Sequence, residues 1–187
     1  MKAKEIIDEL CALGPAPEVT CDTVKSGDPE RELRRVAVTM FPRIETLREA
    51  ALWGADMMIV HEPAYYEHME MGEDTTVSRQ KRDLIEKSGM VLFRFHDRMH
   101  ASEPDGIAEG ELRYLGLSGR VEKTPYFASY IMTLDEEVTA RELGRLIEKR
   151  LGLKRVRIAG ERNKKIKTLA LCFSSPGGIF ELISDQR

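Results

Sequence analysis

Three short apolar runs, "RRVAVTMFP" (34–42), "DMMIV" (56–60) and "MVLFRF" (90–95), alternate with two stretches of helical periodicity. No other feature restricts the fold as much. "RIETLREAALWGA" places Ile44, Leu47, Ala51 and Leu52 on an inward face and stops at Gly54, and "VSRQKRDLIEKSG" supplies the second helix. Strands that follow one another through a helix pair in parallel, because the chain must cross back over the sheet before it pairs again. The expected architecture is therefore α/β: a βαβαβ sheet of parallel type flanked by helices. A helix over residues 3–13, with Ile6, Ile7, Leu10 and Leu13 inward, precedes it. The polar segment "TCDTVKSGDPERE" between them reads as loop.

In open sheets of this kind, ligands collect beyond the carboxyl ends of the strands. Two of the three runs lead there into side chains that bind metals or move protons. "MMIVHEPAYYEH" (57–68) carries His61, Glu62 and His68, and "VLFRFHDRMHASEPDG" (91–106) carries His96, Asp97 and His100. The chain has four histidines, and these two windows hold them all. Neutral imidazole and carboxylate are ligands for zinc, iron, manganese and related divalent ions. His61 and Glu62, being adjacent, face opposite sides of a regular strand, and Pro63 ends the ladder. Such a pair serves two ions, or one ion and an activated water. His96 and His100 have the spacing of one helical face, but His96 closes a strand and Pro104 opens the next helix, so "HDRMH" is expected to form a tight loop. The plain alternative is that these are hydrogen-bonded histidines at strand ends. "PGG" at 176–178 either cradles a phosphate or simply turns the chain.

The second half has another character. The helix "PDGIAEGELRYLGL" is followed by "YFASYIMTL", the helix "TARELGRLIEKRLGL", and then "KRVRIAG" and "KIKTLALCF". This predicts a second, smaller α/β lobe, with antiparallel pairing between short strands near 155 and 168 through "ERNKK". The expected division is residues 1–120 for the metal-site lobe and 121–187 for the smaller one. Lys plus Arg number 29 against 32 Asp plus Glu, a net charge of -3, which argues against nucleic-acid binding through a dominant basic field. No window is apolar for long enough to span a bilayer, and the charged N-terminus does not read as a signal peptide. Three widely spaced cysteines predict reduced thiols and a cytoplasmic protein.

The order of these motifs resembles the NGG-one-interacting-factor-three-like family, also called GTP cyclohydrolase I type 2 homologs. Its members carry a strand ending in His-His-Pro, a strand ending in His-Thr-Asn-Leu-Asp, and a glycine-containing helix ending in Leu-Gly-Leu. "ADMMIVHEP", "VLFRFHDRMH" and "PDGIAEGELRYLGL" stand in those places here, in that order, and "LALCFSSPGG" matches a later strand and glycine-rich turn. The resemblance implies a dinuclear metal centre in a ring-shaped homohexamer. It makes His61, Glu62, His96 and His100 the metal ligands, with glutamate and histidine exchanged for the family's second histidine and its aspartate. One or two divalent ions per chain are expected, with Glu62 and Asp97 as the carboxylates that move a proton. His68 is a further candidate. Family members continue to a late histidine and glutamate, so the smaller lobe is expected to be incomplete at its carboxyl end. Two functions remain open: a metal-dependent hydrolase on a small nucleotide-like substrate, or a non-catalytic metal-binding scaffold acting through a ring-shaped oligomer.

Overall fold

In a computed structural model, which describes residues 1–65, 68–69, 74–126, 128–173 and 179–185, the three apolar runs become adjacent strands of one sheet. The chain divides into two units, Met1–Glu103 and Pro104–Arg187. The first runs α1 (Ala3–Cys11), β1 (Val24–Ser26), β2 (Val36–Thr39), α2 (Ile44–Trp53), β3 (Met57–Val60), α3 (Thr76–Ser88), β4 (Val91–Arg94) and α4 (Asp97–Ala101). Its sheet has the order β1-β4-β3-β2, with β2, β3 and β4 parallel as expected and β1 antiparallel on the edge beside β4. Val60 pairs with both Thr39 and Arg94, so the three strands end level.

Burial on both faces explains why β3 and β4 read as continuous apolar runs rather than as alternating ones. Met58, Val60 and Leu92 pack against Leu47, Ala50 and Ile85 of α2 and α3. Met57, Val91 and Phe93 turn the other way, toward Ala3 and the apolar side of α1. Each large side chain so buried contributes about 1.5–3 kcal/mol.

Three local expectations change. Leu52 is 89% exposed, because the buried side of α2 centres on Leu47 and Ala50, and a residue two positions past Ala50 points away from it. Leu13 lies beyond the end of α1 and is also exposed. The polar segment after α1 contains the edge strand β1.

The second unit runs α5 (Gly106–Leu115), β5 (Gly119–Lys123), β6 (Ser129–Thr139), α6 (Ala140–Leu151), β7 (Lys165–Cys172) and α7 (Ile179–Asp185). The division falls at Glu103 and Pro104 rather than near 120, so the helix "PDGIAEGELRYLGL" belongs to this unit. Its antiparallel sheet has the order β5-β6-β7, around a core of Leu112, Met132, Leu134 and Leu169. Pairing near 168 is present, but the partner is β6 and not residues near 155. Those residues form no strand. Instead Val156 donates its N–H to Glu148 Oε1 at 3.0 Å, and Ile158 fits against Gly144 of α6, where a Cβ would lie 2.9 Å from its Cδ1. The alternation that looked like a strand serves to cover a helix. Pro176, Gly177 and Gly178 lie outside the described residues.

Candidate metal centre

Beyond Val60 the chain bends but stays tied to β2 by two hydrogen bonds: His61 N–H to Thr39 O at 3.3 Å and Glu62 N–H to Met40 O at 2.9 Å. His61 goes inward and is 5% exposed. Glu62 instead lines a cavity of about 230 Å³ with Phe41, Pro42, Arg43, Pro63 and Lys81.

The end of β4 is built differently. Phe95 N–H still bonds Val60 O at 2.9 Å, but His96 leaves the extended region, and "HDRMH", expected as a loop, closes into the short helix α4. Asp22 holds this helix in place. Its Oδ1 accepts the N–H groups of His96 at 2.7 Å and Asp97 at 2.9 Å, and its Oδ2 accepts that of Arg98 at 2.9 Å. A carboxylate here satisfies donors that a helix start leaves open and matches the positive end of its dipole. The turn stacks His100 beside His96, with His100 N–H on His96 O at 3.2 Å. The chain after α1 passes so close that a Cβ on Gly14 would lie 2.5 Å from Arg98 O.

His61, His96 and His100 thus meet in one place, with ring centroids 4.4 to 5.1 Å apart. One nitrogen of each lies within 4.8 Å of the others. His61 Nδ1 faces the carbonyl of Phe95 at 3.2 Å, so this nitrogen carries the proton, and Nε2 has a lone pair. That Nε2 is buried and has no hydrogen-bond partner among the described residues. Burial first, and the neighbouring His96 and His100 next, lower the pKa of His61 to about 4 and keep it neutral. Burial likewise lowers that of His96. Its Nδ1 lies 2.9 Å from Asp97 Oδ1, which directs its Nε2 lone pair outward. Neutral rings with their far nitrogens fixed as donors suit zinc, iron and similar ions.

A second donor group, Cys21, His68, His96 and Asp97, adjoins the first. It is already bonded internally. Asp97 accepts from Thr20 Oγ1 at 2.8 Å and from Cys21 N–H at 3.1 Å, in addition to His96. Burial pushes the Asp97 pKa up, but bonds from His96, Thr20 and Cys21 outweigh it and hold the carboxyl below its usual range. The Cys21 thiol is pushed up to about 12, chiefly by burial. The fully buried Arg94 donates Nε–H to His61 O at 3.0 Å and contacts both the carbonyl and Nδ1 of His68. Its guanidinium therefore takes the lone pair of a neutral His68 ring, whose other nitrogen then carries the proton. Glu62 is in neither group.

Sequence reasoning missed Asp22, Cys21 and Arg94. An arginine within a fully buried apolar strand was a visible signal, since such a charge must be paired. Asp22 gave none, because its partners lie more than 70 residues away.

Among known proteins, the model of the Duf34/NIF3 (NGG1p interacting factor 3) family matches residues 2–187. A Clostridium perfringens protein named GTP cyclohydrolase 1 type 2 homolog is 26% identical over 161 residues, covering 82% of this chain and 61% of the relative. A Streptomyces coelicolor protein of the same name is 25% identical, covering 96% and 67%. The chain thus spans about three fifths to two thirds of the length of these relatives. A Staphylococcus aureus hypothetical protein of solved structure shares the fold at a TM-score of 0.79 and 18% identity, over 100% of this chain and 76% of that one.

Proposed function

The chain belongs to the Duf34/NIF3 family, and from that premise we propose that it binds a divalent metal through His61, His96 and His100. One observation carries this: the lone pair of His61 Nε2 is buried, neutral and without a protein partner among the described residues, beside two further imidazoles. An unsatisfied buried polar atom costs about 1–3 kcal/mol, and a bound ion would remove that cost. When bound, such an ion supplies a Lewis acid and lowers the pKa of water.

The surrounding residues have separate tasks. Phe95 O and Asp97 fix the protonated nitrogen of His61 and of His96, and Asp22 holds the helical turn that carries His96 and His100. Asp97, with its oxygens occupied, positions His96 rather than moving a proton. Glu62 lines a separate cavity, so it serves as the proton-moving carboxylate only when the β3 tip turns it toward the ion. On this basis the protein is a metal-dependent hydrolase, and the names of its relatives point to a nucleotide-like substrate. Equilibrium dialysis followed by elemental analysis tests the centre. We expect metal retention in the native chain and its loss in His61→Ala and His100→Ala; equal retention in all three sinks the proposal. Turnover of nucleotides by the metal-loaded protein, lost in Glu62→Gln with metal retained, tests the hydrolase.

The scaffold reading has its own support. β2 is an edge strand, and Val38 on it and Phe41 just beyond it are each more than half exposed. An apolar edge of this kind favours self-association. We therefore propose a homo-oligomer, a hexamer if the family resemblance extends to assembly, and light scattering that finds only monomer at micromolar concentration would reject it. The cytoplasm is our proposed compartment, because Cys11, Cys21 and Cys172 form no disulfide. Among the described residues no helix is long and apolar enough to cross a membrane.

A further inference from the structure

The net charge of -3 conceals a separation of charge along the chain. Between Arg141 and Lys167 there are eleven lysines and arginines against three glutamates. This stretch comprises α6 and the segment that returns to β7. Two of the three glutamates serve the backbone: Glu142 Oε2 accepts Thr139 N–H at 2.7 Å, and Glu148 Oε1 accepts Val156 N–H. Among the described residues Arg113, Arg141, Arg145, Lys149, Arg150 and Arg162 make no ion pair. Their field is left unbalanced.

The geometry concentrates these charges around two cavities that α6 helps to line. Arg141, Arg145 and Arg162 line one of about 230 Å³ together with Gly144, Val156, Ile158 and a single carboxylate, Glu148, which is bonded to Val156 N–H. Arg113, Lys149 and Arg150 line the other, of about 610 Å³, together with Tyr114, which is 63% exposed. Arg141 stands in the first turn of α6, where the helix dipole disfavours a cation and an anion would restore the balance.

We propose that this face of the second unit binds single-stranded nucleic acid, with phosphates at the arginine-lined cavities and a base stacked on Tyr114. A small anion needs one cavity only. Here the cations continue along a helix of 12 residues, about 18 Å, and into the segment after it. A line of like charges on that scale suits a polymer with a regular series of phosphates. An exposed aromatic ring among them is the stacking platform such a polymer uses and an acidic peptide does not. The whole-chain balance that argued against a dominant basic field does not bear on a local one, and the inference is independent of the metal centre.

Fluorescence anisotropy on the full chain, with a labelled mixed-sequence oligonucleotide of about 12 nucleotides in RNA and DNA form, tests it. We expect binding that weakens steeply between about 50 and 200 mM salt. The triple variant Arg141→Gln, Arg145→Gln, Arg162→Gln should bind at least about tenfold more weakly, with a salt slope smaller by about 2. Tyr114→Ala should lose about fivefold or more and Tyr114→Phe should recover it. Replacing Arg48, Arg79 and Lys87 of the first unit by glutamine removes the same charge and should change nothing. These positions are exposed, and thermal unfolding confirms that each variant folds. Absence of binding, unchanged binding by the triple variant, or competition by polyglutamate or anionic vesicles as effective as by the oligonucleotide would overturn the proposal.

Discussion

The ends of β3 and β4 lie side by side and carry similar letters, His61-Glu62 and His96-Asp97, yet they dispose of their side chains in different ways. At β3 the chain bends just past the strand while two hydrogen bonds keep it on β2, and the imidazole goes inward while the carboxylate lines another cavity. At β4 the chain turns into α4, so the carboxylate folds back on its own histidine and a second histidine comes into line. The backbone path just past a strand, and the group that caps it, decide whether an adjacent pair acts together.

The largest effect should come from the β3 tip. His61→Ala removes the ligand whose lone pair is buried and unshared, and metal affinity should fall by more than the about 10–100-fold typical of residues that merely orient a ligand. Zinc titration followed by fluorescence competition measures it. A loss below about tenfold would mean that the second donor group, with Cys21 and His68, holds the ion instead.

At the β4 tip, the comparison rests on Asp22. Asp22→Ala deprives three backbone N–H groups of a charged acceptor, a loss on the order of 3 kcal/mol in urea unfolding, with weaker metal binding as α4 loosens. If stability is unchanged, α4 does not depend on this cap.

The same contrast explains how much of the molecule was legible in its sequence. β3 and β4 are buried on both faces, so their apolar runs announced them, and their ends located the histidines. The resemblance made Glu62 a ligand beside His61, whereas in the structure its side chain lines another cavity. The α4 turn was not legible, because its cap comes from Asp22 across a separation of 74 residues, and local spacing cannot report a partner that distant. The segment near 155 misled for a related reason: a period-2 pattern shows which side chains are buried, not whether a sheet or α6 buries them.

Acidification separates the buried ring from an ordinary one. Below pH 6.5 an unfolded chain protonates His61, whereas the folded metal-free chain keeps it neutral down to about 4. The unfolded state binds more protons across that window, so stability falls as pH falls, by at most about 1.4 kcal/mol per pH unit from this group. Chelator-treated protein unfolded in urea between those limits should show the slope, reduced in His61→Ala. An equal slope in both would assign the effect to other groups. Asp97→Asn should act more mildly, weakening metal binding by about tenfold through the orientation of His96, at the low end of what such residues contribute.

The smallest effect should be that of Glu62→Gln, and it tests the comparison most directly. Its side chain lines a cavity with Phe41, Arg43 and Lys81 and belongs to neither donor group, so the metal should not register the loss of its charge beyond about twofold in affinity. Two effects oppose each other here. A carboxylate near a divalent ion strengthens binding by long-range attraction, but in water-exposed surroundings this amounts to only a few tenths of a kcal/mol at separations near a Debye length. Direct ligation would be worth far more, as the amide is a poor substitute for a charged oxygen donor. A tenfold loss in Glu62→Gln would therefore show that the β3 tip rearranges around the ion and turns Glu62 toward His61. A change within twofold, alongside the much larger effect of His61→Ala, would show that the bend after β3 holds the two side chains apart even with metal bound.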